Sequence, residues 1–364
     1  MNLCSKARKG MLAIDLFSGA GGLCLGMKSA GVKVVLSNEI EADFAKTHEL
    51  NFPEVKMINR DIAAVDFRAE LKAMGLEPGE VDIVAGGPPC QGFSTVGKKN
   101  LADPRNSLFS QFLRAVEEVR PSYVIFENVS GFKKLYSGSI YRKVLEGLDH
   151  QGLDHVSGIL NVRDFGAPQS RERTIVLAWR RGLKPVFMPP VTHGASRPFL
   201  TLMEAISDLP GLNPGGCGSE YLCEPKNDYQ KSMRSGGVPL SEHCCSKYGE
   251  RMKLVMSRVP PGGSVMDLPE ELRPKGYFKN TYARLLPDVP SPTITRNFGT
   301  PSSSRCIHPF QNRALSTREG ARIQGFPDHY VFHGSKTRKN LQIGNAVPPV
   351  LGEVLARRVV EASL

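Results

Sequence analysis

Four places in this 364-residue chain carry side chains suited to chemistry. Cys90 follows the Pro88-Pro89 corner in "AGGPPCQGFS" (85–94), just beyond the strand-like run "VDIVAGG" (81–87). A purely structural thiol belongs inside a strand or helix, whereas one on a proline-stiffened loop is placed to react. Glu127 sits in "ENV" at the end of the next apolar run, "SYVIFENV" (122–129). Arg171 and Arg173 in "QSRERTIVLAW" stand two apart, which puts them on one face of an extended chain. A thiolate is a strong nucleophile and a weak base, and guanidinium groups nearby lower its pKa. With a carboxyl group beside it, such a set suits attack on an electron-poor ring carbon.

A second constellation lies nearer the start. "DLFSGAGGLCLG" (15–26) follows a strand-like run and opens a helix, and Gly19, Gly21 and Gly22 let the backbone approach a ligand closely. The dinucleotide fingerprint G-x-G-x-x-G/A fails here, because the position after Gly19 and Gly21 is Cys24. Ligands of open α/β sheets still lie beyond the carboxyl ends of the strands. Glu39 ends the second strand, where a ribose diol would be held, and Asp61 ends the third, placed to accept from an adenine amino group. A nucleoside-bearing cofactor without a pyrophosphate, such as S-adenosylmethionine, fits that order.

The elements that must position these residues alternate in the first 180 positions, as in a parallel α/β sheet. Strands are expected at 11–17, 32–39, 54–62, 81–87 and 122–129, with helices at 21–31, about 106–120 and about 139–149. Strands at 155–166 and 173–180 share only a short polar link, too short for a parallel crossover, and should pair antiparallel. From about Leu183 to Val289 the chain is rich in Pro, Gly and Cys and reads as a second, irregular domain. Order returns at Thr293, with a capped helix at 316–327 and a closing helix at 345–363.

Composition bounds the partners. The chain is 40% hydrophobic and 23% charged, as a soluble globular protein is. It has no apolar run of membrane-spanning length and no secretory leader, so cytoplasmic residence without a membrane is expected. The net charge of +11 points to an anionic partner. Residues 185–292 hold 12 Lys and Arg against 11 Asp and Glu, whereas 293–364 hold 10 against 4. Cys217, Cys223, His243, Cys244 and Cys245 lie close together, but no C-x-x-C pair accompanies them. Reduced thiols and no metal are therefore expected.

The ordered series "DLFSGAGGLCLG", "NEIE", "RDI", "GGPPCQGFS", "DPRNSLF", "ENV", "QSRER", "TREGARIQGFPD" and "QIGNAVPP" resembles the DNA (cytosine-5) methyltransferases. The resemblance spans the first 180 residues and the last 70 or so. It implies a Rossmann-like α/β methyltransferase fold, a mostly parallel sheet with one antiparallel strand, plus a smaller irregular target-recognition domain. The expected boundaries are a catalytic domain at 1–183, a recognition domain at 184–292, and a hinge with C-terminal return at 293–364.

Carried over by residue, the resemblance makes Cys90 the nucleophile that adds to C6 of a flipped-out cytosine. Glu127 would hold N3 and the exocyclic amine, Arg173 the O2 atom, and Arg171 would support the site. Phe17, Gly19, Gly21, Glu39, Ile40, Asp61, Ile62, Pro89, Leu108, Asn345 and Ala346 match positions around S-adenosyl-L-methionine, which leaves as S-adenosyl-L-homocysteine. Ile40 stands where many relatives carry an aromatic residue, so an aliphatic contact replaces a stack. Lys98, Lys99 and Arg105 on the loop after Cys90, with Arg296 and Arg305, are the expected contacts to double-stranded DNA. A monomer is expected, acting either beside a separate restriction endonuclease or as an orphan methylase. The RNA-specific branch of this fold carries a Cys-Phe-Thr signature that this chain lacks. A binding protein without turnover would not need Cys90, Glu127 and both arginines.

Overall fold

The computed structural model describes residues 10–89, 108–303 and 305–364. Nine strands occur among them: β1 (Leu12–Leu16), β2 (Lys33–Asn38), β3 (Lys56–Ile58), β4 (Ile83–Gly86), β5 (Tyr123–Val129), β6 (Leu153–Asn161), β7 (Gln169–Ser170), β8 (Glu172–Arg180) and β9 (Ser291–Pro292). The helices are α1 (Gly22–Ser29), α2 (Ala42–Asn51), α3 (Phe67–Ala73), α4 (Leu108–Val119), α5 (Ser139–His150), α6 (Leu202–Ile206), α7 (Asp228–Met233), α8 (Glu250–Arg258), α9 (Thr317–Gln324), α10 (Lys336–Asn345) and α11 (Pro349–Ser363). The chain divides into two units. The first comprises residues 1–160, 172–190 and 351–364, the second 161–171 and 191–350.

The first unit is built on a seven-stranded sheet in the order β3-β2-β1-β4-β5-β8-β6. β3, β2, β1, β4 and β5 run parallel to their neighbours, and β8 is antiparallel to β5, with Glu127 opposite Ile175 and Val129 opposite Arg173. One strand phase, Ile14, Leu16, Val84, Val124, Phe126 and Val176, packs with Phe67 of α3, Phe112 and Val116 of α4, and Val144 and Leu148 of α5. The opposite phase, Ala13, Ile83, Ala85, Ile125, Ile175 and Leu177, is equally buried. Burial on both faces is why these strands read as continuous apolar runs rather than alternating ones. α11 returns to this unit so closely that a Cβ on Gly352 would lie 3.1 Å from the Leu23 carbonyl oxygen.

The sequence expectation differs from the structure where side chains end elements early. β3 stops at Ile58 because Asn38 Nδ2 donates to the carbonyls of both Ile58 and Arg60 (2.9 Å each), turning the chain out of the sheet. Asp61 then caps a short 3-10 turn by accepting from Ala63 N–H at 2.9 Å. β6 ends at Asn161, whose Oδ1 accepts from Arg163 and Arg171 N–H groups. The closing helix begins four residues later than expected, at Pro349, because Ala346 leaves helical geometry (ψ 146°) ahead of Pro348 and Pro349. That break also hid α10, which is polar along most of its length.

The second unit has little sheet, only the β7–β9 pair and isolated bridges among its described residues. Buried arginines take over as scaffolding. Arg313 makes a two-pronged ion pair with Glu319 (2.8 and 2.7 Å), and Glu319 also completes the capping box of α9 with Ser316. Arg322 pairs with both Asp208 and Asp328. Arg284 donates to the carbonyls of Met256, Val259, His308 and Gln311. The expectation of reduced thiols fails at one pair: Cys217 and Cys244 form a disulfide. Their neighbours also bridge as antiparallel backbone, with Cys245 N–H donating to Gly216 O and Gly218 N–H to His243 O, and this proximity was invisible in the cysteine spacing.

His308 in this unit is buried; its Nδ1 accepts from Phe310 N–H at 3.2 Å, and its Nε2 lies 3.8 Å from Glu319. Burial pushes its pKa down to about 4, against the pull of the Glu319 carboxylate. A histidine in the unfolded chain titrates near ~6.5. Between those values the unfolded state binds more protons, so stability is lost as pH falls through that window. Thermal melts are expected to show a falling Tm from about pH 6.5 to about pH 4, and a shallower fall for His308→Asn.

Candidate active site

The carboxyl edge of the first unit is shaped by the turn after β1. Phe17 and Gly19 take left-handed backbone (φ 55° and 56°), and Gly21 does so again (φ 85°) as the residue before α1. This places Gly19 N–H on the Glu39 carboxyl group, 2.8 Å from Oε2, while Glu41 N–H donates to Oε1 at 2.8 Å. Burial raises the Glu39 pKa, and these backbone donors oppose the rise. Asn59 Nδ2 donates to the carbonyls of Glu39 and Ile40, which ties the end of β2 to the end of β3. Ile40 is 62% exposed beside this carboxyl, an apolar side chain presented to a ligand or to water. Asp61 is exposed, and Ile62 is buried beneath it. Leu108 is half-buried at the start of α4, against the core.

A second cluster forms where β4, β5 and β8 meet. Arg173 Nε lies 2.6 Å from Glu127 Oε1, with both side chains about nine-tenths buried. The antiparallel register makes this pair, since β8 brings Arg173 opposite Val129 at the end of β5. Asn128 Nδ2 donates to Pro88 O at 3.0 Å, pinning the first proline of the corner. Pro88 is buried, and Pro89 is exposed. Thr174 Oγ1 donates to Val129 O at 3.1 Å and closes the end of β5. The glycines before the corner make room. A Cβ on Gly86 would sit 2.6 Å from Leu16 O, and one on Gly87 would sit 2.7 Å from Glu127 Oε2. Cys90, Lys98, Lys99 and Arg105 lie outside the described residues.

Arg171 and Arg173 meet different partners. Arg171 lies between β7 and β8. Arg171 belongs to the second unit and is buried there, donating to the carbonyls of Ile294 (2.9 Å), Gly344 (2.9 Å) and Ala346 (3.2 Å). It acts on backbone, as a clamp. Asn345 is exposed at the end of α10, and Ala346 O is further held by Gln324 Nε2 at 2.6 Å. Arg296 and Arg305 are exposed in the same unit, without a carboxylate partner among the described residues. A Cβ on Gly344 would meet Arg296 N at 2.4 Å, so the turn carrying Arg296 rests directly on α10.

Three contributors carry no role in the sequence reading: Asn128, Gly87 and Asn38. Their signals were present, in the middle residue of "ENV", the second glycine of "AGGPP" and the asparagine ahead of Glu39. Each works through backbone or through space left empty, which residue chemistry alone does not advertise.

The sheet order, the antiparallel insertion of β8 and the two carboxyl clusters at one edge define a Rossmann-like methyltransferase. The profile of the family described as "C-5 cytosine-specific DNA methylase" matches residues 11–361. The chain is 36% identical to the Type II methyltransferase M.DdeI of Desulfomicrobium norvegicum, across 96% of this chain and 88% of that protein. It is 35% identical to the Type II methyltransferase M1.HphI of Haemophilus parahaemolyticus, across 96% and 86%. A crystal structure of a DNA modification methyltransferase encoded within an E. coli prophage superposes with a TM-score of 0.79 at 26% identity, covering 97% of this chain and 99% of that one. The chain belongs to the C-5 cytosine-specific DNA methylases, enzymes that place a methyl group on C5 of cytosine in DNA.

The space opposite Gly87 yields a test. Gly87→Ala should displace the Glu127 carboxyl group from Arg173, because the new methyl group occupies its place. Methyl transfer is expected to fall at least about tenfold with only a small change in Tm, since a loss of ~1.4 kcal/mol in positioning is tenfold in rate. Wild-type turnover by this variant would show that the position of Glu127 is not required.

Proposed function

We propose that the protein methylates C5 of a flipped-out cytosine in one duplex sequence, using S-adenosylmethionine and a covalent Cys90–C6 adduct. The observation that carries this reading is the Glu127–Arg173 pair fixed beside the Asn128-pinned proline corner that leads into Cys90. The Cys90 thiolate adds to C6 of the ring while N3, held with the exocyclic amine by Glu127, takes up a proton, which draws electrons from the C5–C6 bond. Arg173 binds O2 and keeps the carboxyl group of Glu127 oriented. Addition at C6 leaves C5 as an enamine-like carbon. Once C5 carries its methyl group, loss of the C5 proton and expulsion of the Cys90 sulfur restore the ring. Arg171 contributes by holding the backbone at Ile294, Gly344 and Ala346.

The residues at the β1 and β2 ends fit the cofactor. Glu39 is a buried carboxyl whose two oxygens each take one backbone donor, leaving acceptor capacity for a ribose diol. Asp61 offers an exposed carboxyl, Ile40 an exposed aliphatic surface, and Gly19 has no heavy atom within 4 Å of where a Cβ would be. When bound there, S-adenosylmethionine supplies an electrophilic methyl group. Phe17, Gly21, Ile62, Pro89 and Leu108 complete the proposed lining within the first unit.

The relatives named Type II methyltransferases support a place in a restriction-modification pair, with a separate endonuclease that cuts the same sequence. The segment 184–292 is proposed to read that sequence, and Lys98, Lys99, Arg105, Arg296 and Arg305 to hold phosphates.

Expression in a host without cytosine methylation, followed by bisulfite sequencing, is expected to reveal one methylated duplex motif. Cys90→Ala should abolish transfer without unfolding the protein, and duplex containing 5-fluorocytosine should trap the wild type covalently. Measurable turnover by Cys90→Ala would sink the covalent route. Glu39→Ala removes a charged acceptor worth roughly 1.5–3 kcal/mol, so calorimetry should find S-adenosylmethionine bound about tenfold or more weakly.

A further inference from the structure

Within the second unit, residues 275–279, Lys-Gly-Tyr-Phe-Lys, form an unbroken exposed run. Phe278 is 65% exposed and Tyr277 39%. Neither Lys275 nor Lys279 has a carboxylate partner among the described residues, and no acidic residue occurs from 272 to 287. The feet of this loop are fixed. On one side, Arg273 donates to Leu268 O (2.8 Å) and Met266 O (3.0 Å). On the other, Thr281 N–H donates to Phe278 O (2.9 Å), Thr281 Oγ1 accepts from Phe278 N–H (3.2 Å), and Thr281 O accepts from Val265 N–H (2.8 Å). Tyr282 is buried among Val255, Met256, Val259, Val265 and Leu268, and Arg284 is locked onto carbonyls. The result is a rigid base carrying two adjacent solvent-facing rings between two cations that have no carboxylate partner among the described residues.

Water does not favour a large exposed apolar ring, and a pinned loop loses little further freedom on binding. The flanking lysines match a polyanion, and the rings match the faces of stacked bases. We propose that Tyr277 and Phe278 form a stacking wedge that inserts at a base step of the substrate duplex, with Lys275 and Lys279 seated on the adjoining phosphates. Apolar wedges unstack a step and distort the duplex, which lowers the cost of opening it. The inference rests on duplex DNA being the substrate and adds to it the part of the chain that deforms that duplex.

The test uses the full-length protein and a duplex carrying the motif that the wild type methylates, with 2-aminopurine placed in turn at each position flanking the target cytosine. The wild type is expected to raise fluorescence at one flanking step, and Phe278→Ala to lose that rise. On the unlabelled duplex kcat/KM should fall about tenfold for Phe278→Ala, with Phe278→Trp restoring it to within about threefold. Tyr277→Ala should fall in the same direction. Lys275→Gln with Lys279→Gln should flatten the log–log salt dependence of binding by about 0.9 per lost phosphate contact. Because Phe278 is exposed, circular dichroism and Tm should match the wild type, which separates the effect from misfolding. An unchanged kcat/KM in Phe278→Ala, or the same fluorescence rise in that variant, would overturn the wedge while leaving the methylation reading intact. A wild type that methylates no duplex would overturn both.

Discussion

A carboxyl group and a guanidinium group that have both lost most of their water must meet, or neither is tolerated. Glu127 and Arg173 are in that position, and much of the first unit follows from the need to bring them together. Glu127 ends a parallel strand, so its partner must arrive from a strand running the other way. β8 is that strand, inserted between β5 and β6. Gly87 has to lack a side chain for the carboxyl group to lie where it does. Asn128, next to Glu127 and on the other strand phase, is then free to hold Pro88. One pair thus accounts for a strand direction, a glycine and the anchor of the proline corner that precedes Cys90 in the sequence.

The second unit solves a different problem. With little sheet to satisfy its backbone, it spends arginines on carbonyls and carboxylates in its interior. Arg284, Arg313, Arg318 and Arg322 are all buried. Burial lowers the Arg318 pKa, whereas its carboxylate partners raise that of Arg322 despite burial. The positive balance of residues 293–364 therefore overstates what can face a polyanion. Formal charge counted along a sequence does not separate a guanidinium that meets phosphate from one that holds up a loop.

The parts of this fold that could be read in advance are those where side-chain pattern and backbone demand agree. The apolar runs of β1, β2, β4, β5 and β8 lie within a residue or two of their expected places, because strands buried on both faces leave little ambiguity. Elements ended by a side chain taking a backbone carbonyl, as Asn38 ends β3, were read too long. α2, α3 and α10 went unseen because their apolar faces are short. In the candidate site, Glu39 and Glu127 are legible as acids at the ends of β2 and β5 and Arg173 as a cation at the entry to β8, whereas Asp61 lies three residues beyond the end of β3. Counting in twos places Arg171 beside Arg173, whereas Arg171 holds the carbonyls of Ile294, Gly344 and Ala346 and Arg173 meets Glu127. The pairing of Cys217 with Cys244 depended on two loops meeting, which spacing does not encode.

The return of α11 to the first unit has a temporal side. Leu351, Leu355, Ala356 and Val359 are fully buried, and Gly352 lies against Leu23 in α1, across most of the length of the chain. During synthesis the α1 surface emerges long before the helix that covers it. The sheet can pair early, but this unit keeps an uncovered apolar strip until the whole second unit has been made. Contacts of such long sequence separation form late and slow folding. The growing chain therefore spends most of its translation with that strip open, and the second unit matures while tethered to an incomplete partner.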